Sequence, residues 1–71
     1  MPTLLRWNGF RFYFFSSDGD EPPHVHIDRD AATAKYWLSP VRLARNVGLN
    51  ARDLRLVEDK VSEEQARFLE A

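Results

Sequence analysis

The sequence predicts an α+β domain, a four- or five-stranded antiparallel sheet with one C-terminal helix packed on one face, and three observations predict it. Apolar and polar residues alternate through much of residues 3–46, turn-forming residues punctuate that stretch, and beyond Gly48 the apolar spacing lengthens to a helical period. With 71 residues there is room for one core, so residues 1–71 read as a single domain, with strands within 3–46 and a helix over about 51–70. So small a chain must bury nearly all its apolar surface, in its own core or against a partner. Five Phe, two Trp and two Tyr supply large burial per residue and serve equally as interface anchors.

The first hairpin turns at Asn8-Gly9, between Leu4-Leu5-Arg6-Trp7 and Phe10-Arg11-Phe12-Tyr13-Phe14-Phe15, because both turn residues tolerate the positive φ of a type I′ turn. Alternation sends Phe10, Phe12 and Phe14 to one face and Arg11, Tyr13 and Phe15 to the other, which makes the first trio the core candidates. Ser16 through Pro23 is a loop by composition. His24-Val25-His26-Ile27-Asp28 alternates again, Arg29-Asp30-Ala31-Ala32 turns, and Thr33-Ala34-Lys35-Tyr36-Trp37-Leu38 completes a second hairpin, with Tyr36 and Trp37 on opposite faces. After Ser39-Pro40, residues Val41 to Arg45 can add a fifth strand at an edge. Asn50 suits a helix N-cap, with Asp53 three residues on and Leu49 and Leu54 at the staple positions. Leu54, Val57, Val61, Phe68 and Leu69 form the apolar stripe, while Arg52, Arg55, Asp59, Glu63 and Arg67 face water. Ser62 to Gln65 could start a second capping box, but no Gly or Pro enforces a break, and one helix is expected. It ends at Ala71 without a C-cap glycine, which is expected of a frayed end or of a chain shorter than the natural one.

Ten Lys and Arg against eleven Asp and Glu exclude a uniformly polyanion-binding chain, although the acidic excess is concentrated in the last third. The absence of Cys excludes a disulfide framework, a thiolate nucleophile and a thiolate metal site, and fits a reducing compartment. There is no signal-like apolar segment and no apolar run of membrane-spanning length, so a cytoplasmic location and no membrane partner are expected. A single helix covers only one side of a sheet. The other side must therefore be polar, self-associated in a homo-oligomer, or covered by another chain.

His24, His26 and Asp28 occupy alternate positions and leave one face of their strand. His-X-His with a carboxylate is a known divalent-metal pattern, so a metal held by His24, His26 and Asp28 is one reading, completed by Asp20, Glu21 or a second subunit. A second reading is catalytic and needs no cofactor: His24 and His26 act as general acid and base, with Lys35 or Arg11 holding developing phosphate charge, as in a metal-independent ribonuclease. Imidazole suits both proton-transfer roles near neutral pH. Whether Lys35 shares the histidine face depends on pairing register, which a one-residue slip reverses. The plain alternative is a solvated polar face with two incidental histidines. Glu21-Pro22-Pro23 stiffens the approach to His24 and fixes where Glu21 points, which suits either a site or a plain stop to strand pairing. Trp37, Tyr13 and Arg11 are interface candidates, and Arg42 and Arg45 with Arg11 and Lys35 could make a modest basic patch over aromatic rings, the composition used for single-stranded nucleic acid.

Gly9-Phe10-Arg11-Phe12-Tyr13-Phe14, Glu21-Pro22-Pro23-His24-Val25-His26-Ile27, Ala34-Lys35-Tyr36-Trp37-Leu38, Pro40-Val41 and Asn46-Val47-Gly48, with Met1-Pro2-Thr3, together resemble a family of small bacterial proteins catalogued as domain of unknown function 4160. Glu-Pro-Pro-His-Val-His is the specific part. The resemblance implies a gene-pair setting that looks like a toxin–antitoxin module, with this chain as the toxin-like member and a cognate small protein encoded nearby as its partner. It raises Glu21, His24, His26, Lys35 and Trp37 as a site because they fall in the motif. Relatives continue the final helix for another turn or two, so some core contacts are expected to be missing from a chain ending at Ala71.

Overall fold

The computed structural model describes residues 3–14 and 21–70. Phe15, residues 16–20 of the expected loop, the Met1-Pro2 part of the resemblance and Ala71 lie outside them. Five strands, β1 (Thr3–Trp7), β2 (Phe10–Tyr13), β3 (His24–Arg29), β4 (Ala32–Leu38) and β5 (Val41–Val47), are followed by α1 (Ala51–Glu63) and α2 (Gln65–Glu70). The strands form one antiparallel sheet in chain order, each paired with its sequence neighbours. The α+β class therefore holds with five strands, the fifth at an edge and ending at Val47.

Local chemistry accounts for the turns. Asn8 and Gly9 both take positive φ, 53° and 84°, and Trp7 pairs with Phe10 across them, the two-residue turn expected of Asn-Gly. Asp30, also at φ 53°, turns β3 into β4. Ser39-Pro40, joined by a cis peptide bond, links β4 to β5. Gly48 leaves the sheet at φ 93°, where a Cβ would stand 3.1 Å from the Ala32 Cβ. Asn46 then ties the connection down: its side chain donates to the Leu49 carbonyl at 2.9 Å and accepts from the Leu49 N–H at 3.1 Å.

Asn50 caps α1, accepting the Asp53 N–H at 2.8 Å. The Asp53 carboxylate bonds the Arg29 guanidinium at the end of β3, which ties the helix start to the sheet. The expected single helix is two. Glu64 adopts φ −100°, ψ 11°, outside the helical region, and interrupts the rod between α1 and α2. The i to i−4 bonds carry across it, from the Glu64 N–H to the Lys60 carbonyl and from the Phe68 N–H to the Glu64 carbonyl. Tertiary anchors hold the bend: the Gln65 carboxamide donates to the Leu38 carbonyl, Arg67 donates to the Leu4 carbonyl, and Phe68 packs on Phe12 with ring centroids 5.9 Å apart.

Phe10, Phe12, Val25, Ile27, Ala34, Tyr36 and Leu38 line one face of the sheet, and Leu49, Val57, Val61 and Phe68 close over it. Phe14 and Leu54 pack at its margin, and Leu69, expected in the stripe, is 43% exposed. Tyr36 is the buried member of the Tyr36-Trp37 pair, its hydroxyl donating to the Leu54 carbonyl at 3.1 Å. Both helices lie on this side. No helix among the described residues is long and apolar enough to cross a membrane.

Phe68→Ala should cost about 3–5 kcal/mol, because the fully buried ring closes the core against Phe12 and its removal leaves a cavity. Asn50→Ala should cost about 1 kcal/mol through the lost cap. Urea titration followed by circular dichroism measures both, and equal losses would contradict this assignment of core and cap.

Candidate functional site

Register decides which residues share the face the helices leave uncovered. His24 pairs with Trp37, His26 with Lys35 and Asp28 with Thr33. Arg11 pairs with Asp28 and Tyr13 with His26 on the other side. Since Val25 and Ile27 point into the core, all of these partners stand on the open face. Lys35 pairs with Arg45 and Trp37 with Arg42. Simple alternation would send Arg42 and Arg45 to opposite faces, but Ala44 is an extra residue between the Lys35–Arg45 and Tyr36–Leu43 pairs. This bulge brings both arginines to the same side.

Three rows result. Arg11, Asp28, Thr33 and Val47 form one; Tyr13, His26, Lys35 and Arg45 the next; His24, Trp37 and Arg42 the third. At ~4.8 Å between strands the middle row is about 14 Å long. A hollow of about 460 Å³ lies over it, lined by Tyr13, His26, Lys35, Trp37, Ala44 and Arg45 among others. A smaller one of about 200 Å³ lies beyond Trp37, against Pro22, Pro40 and Arg42.

The middle row is built by aromatic and polar contacts. The Tyr13 ring stacks on His26, centroids 5.5 Å apart, and the Arg11 guanidinium stands 4.5 Å from the Tyr13 ring centre. The Tyr13 hydroxyl donates to Asp28 at 2.9 Å and Thr33 donates to the other carboxylate oxygen at 2.7 Å. Burial, reinforced by the Asp28 carboxylate, pushes the Tyr13 phenol up to about 12, so at neutral pH it is a proton-bearing donor. Tyr36, on the core side, is likewise raised to about 12 by burial and the Glu58 charge.

His24 is buried, at 6% exposure, edge-on to His26 (5.0 Å) and Trp37 (5.7 Å). Its Nδ1 lies 2.9 Å from the Pro22 carbonyl oxygen. A carbonyl only accepts, so Nδ1 donates to it, and Nε2 stands 4.0 Å from Glu21 Oε1. Lys35 Nζ binds both Glu21 oxygens, at 2.7 and 2.9 Å, and stands 4.7 Å from the Trp37 ring centre. Arg42 and Arg45 have no ion-pair partner among the described residues.

Glu21, His24, His26, Lys35 and Trp37 are thus brought together, with Tyr13 beside them and Arg11 at the margin. Asp28 shares the face, but both its oxygens are engaged by Tyr13 and Thr33. Among the described residues no group of three His, Cys, Asp or Glu is placed to hold a metal ion, and Asp20 lies outside them. Thr33 escaped the sequence reading, although its parity with Lys35 and Trp37 signals its face. The bulge at Ala44 carries no such signal. Cation and ring surfaces in one shallow hollow are suited to hold a flat anionic ligand.

Both tyrosines tie stability to high pH. Once the chain unfolds, each phenol titrates near 10, so between about pH 10 and about pH 12 the unfolded chain binds fewer protons and stability falls as pH rises. Below that window both contributions are complete. Urea unfolding at a series of pH values should show the decline, and Tyr36→Phe should flatten it; a profile unaltered by the substitution would contradict the assignment.

Residues 9–71 match the model of a protein family described as Domain of unknown function (DUF4160). No curated protein and no solved structure matches the chain.

Proposed function

The chain belongs to the DUF4160 family, a domain of unknown function, and we propose that it is a binding domain whose open sheet face takes single-stranded RNA. The observation that carries this reading is the middle row, Tyr13, His26, Lys35 and Arg45, with Trp37 and Arg42 beside it. His26 and Trp37, half-buried, supply ring surface for bases, the buried Tyr13 backs His26, and Arg42 and Arg45 supply cations for the backbone. Among the described residues the two sides differ in charge: Arg11, Lys35, Arg42 and Arg45 outnumber Glu21 and Asp28 on the open face, whereas acidic residues outnumber basic ones on α1 and α2. A polyanion is therefore steered to the uncovered side.

The resemblance to chains from toxin–antitoxin-like gene pairs supplies a setting. In this reading the protein is the toxin-like member of a bacterial, cytoplasmic two-gene system, and a cognate small protein restrains it by covering the same face. The half-buried rings of His26 and Trp37 suit that protein contact as well.

A ribonuclease reading adds chemistry to the same surface, and the position of His26 between Tyr13 and Lys35 favours it. His26 would take the proton of a ribose 2′-hydroxyl as its oxygen attacks the adjacent phosphorus. Lys35 would balance the added phosphate charge, and His24 would return a proton to the leaving 5′-oxygen.

Trp37→Ala and Arg45→Ala should each weaken binding of a fluorescein-labelled oligouridylate, the first by about 5- to 150-fold, corresponding to ~1–3 kcal/mol for a lost stacking surface. Unchanged affinity in both would overturn the binding reading. For the ribonuclease reading, expression should arrest growth and His26→Ala should relieve the arrest with RNA affinity retained. Toxicity that persists through His24→Ala, His26→Ala and Lys35→Ala removes that step.

A further inference from the structure

We propose that the Lys35 ammonium is a phosphoryl-anion subsite of the open face and that the Glu21 carboxylate is its resident occupant, displaced when a ligand binds. The inference rests on the reading that this face takes a polyanion, and goes further by naming where one phosphate sits and what leaves.

Glu21 stands just outside the sheet, and its backbone is aimed by the two prolines that follow. The Pro23 carbonyl accepts the Leu38 N–H at 3.0 Å and the Pro22 carbonyl takes His24 Nδ1 at 2.9 Å, so the chain next to Glu21 is tied to β4 and to the histidine pair. From there the carboxylate reaches over the face and meets Lys35 Nζ with both oxygens. Its Oε1 is also 4.0 Å from His24 Nε2. One anionic group is thus held by an ammonium and flanked by an imidazole, beside the edge of the larger hollow that Lys35 itself lines.

A phosphodiester presents two anionic oxygens on one edge, as a carboxylate does, so it can replace Glu21 on Lys35 with the same donor geometry. Exposure tells which partner yields. The Glu21 side chain is 42% exposed and that of Lys35 only 18%. The carboxylate is the outer partner, free to swing into water, while the ammonium is held against Trp37. An exposed pair of this kind contributes little to stability, so exchanging it for a ligand costs little. Glu21 then sets affinity: it keeps the lysine neutralised until a phosphate competes.

Glu21→Gln should tighten binding of a fluorescein-labelled oligouridylate 12-mer about three- to fivefold at low salt, the range set by the strength of an exposed pair. Glu21→Ala should do the same. In a Lys35→Met background the gain should vanish, because the carboxylate then has no cation to withhold. Asp30→Asn, which removes an exposed carboxylate from the β3–β4 turn, should change affinity less than either Glu21 variant. Inorganic phosphate, titrated as competitor, separates the sources. Stronger competition against the Glu21 variants assigns the subsite to the phosphoryl group itself, and a gain confined to the oligomer assigns it to the nucleic-acid backbone; either supports the proposal. A native chain that binds the oligomer while Glu21→Gln binds it no tighter overturns the subsite and leaves the RNA reading standing. So does an equal gain in the Lys35→Met background. If neither the native chain nor the Glu21 variants bind, the RNA reading falls and the subsite with it.

Discussion

Side chains leave a β-strand alternately to its two faces, and in this protein both helices lie against one of them. Along β2, β3 and β4 each position is thereby sorted by parity. Even-numbered Phe10, Phe12, Ala34, Tyr36 and Leu38 go under the helices, as do odd-numbered Val25 and Ile27, because the β2–β3 and β3–β4 pairings set Phe12 opposite Ile27 and Tyr36 opposite Val25. The same arithmetic assembles the open face. His24, His26, Lys35, Trp37, Tyr13 and Arg11 meet there because their neighbours in sequence are needed for the core. A core this small has no apolar residue to spare, so the polar set is as tightly specified as the apolar one.

The two faces also differ in how they are held. Below the sheet, aromatic and aliphatic groups form the core and polar groups join it at a few points: the Tyr36 hydroxyl on the Leu54 carbonyl, the Arg29 guanidinium 4.3 Å from the Phe10 ring centre and the Gln65 carboxamide on the Leu38 carbonyl. Above it, four rings run in contact between two cations: Arg11 against Tyr13, Tyr13 against His26, His26 against His24, His24 against Trp37, Trp37 against Lys35. This chain of contacts packs the rings against one another, with Tyr13 and His24 buried and His26 and Trp37 half-buried. A surface preorganised in that way presents flat faces and charge to a ligand at little ordering cost.

Much of this was legible in the residues. Asn8-Gly9 announces its hairpin because few other pairs accept two positive φ values, and Asn50 announces its cap because a short polar side chain ahead of an apolar stripe satisfies the first free amides. The Phe10 and Phe12 face, the Asp30 turn and the shared face of His24, His26 and Asp28 follow from the same local rules. The single helix did not survive, because the bend at Glu64 is held by contacts of Gln65 and Arg67 with strands more than twenty residues away in the chain. Leu69 fell out of the stripe for the related reason that helical period ranks candidates for burial without saying where the sheet ends beneath them.

By itself, the sequence determined the period of each segment, the turn chemistry and the residue types available to a site, since these depend on interactions between near neighbours. Only the tertiary structure decided that Lys35 stands opposite His26 rather than one step away, that an extra residue at Ala44 puts Arg42 and Arg45 on one side, and that Asp28 is committed to Tyr13 and Thr33. Register and bulges are settled by the summed packing of whole strands against the helices, and no short stretch of chain carries that sum.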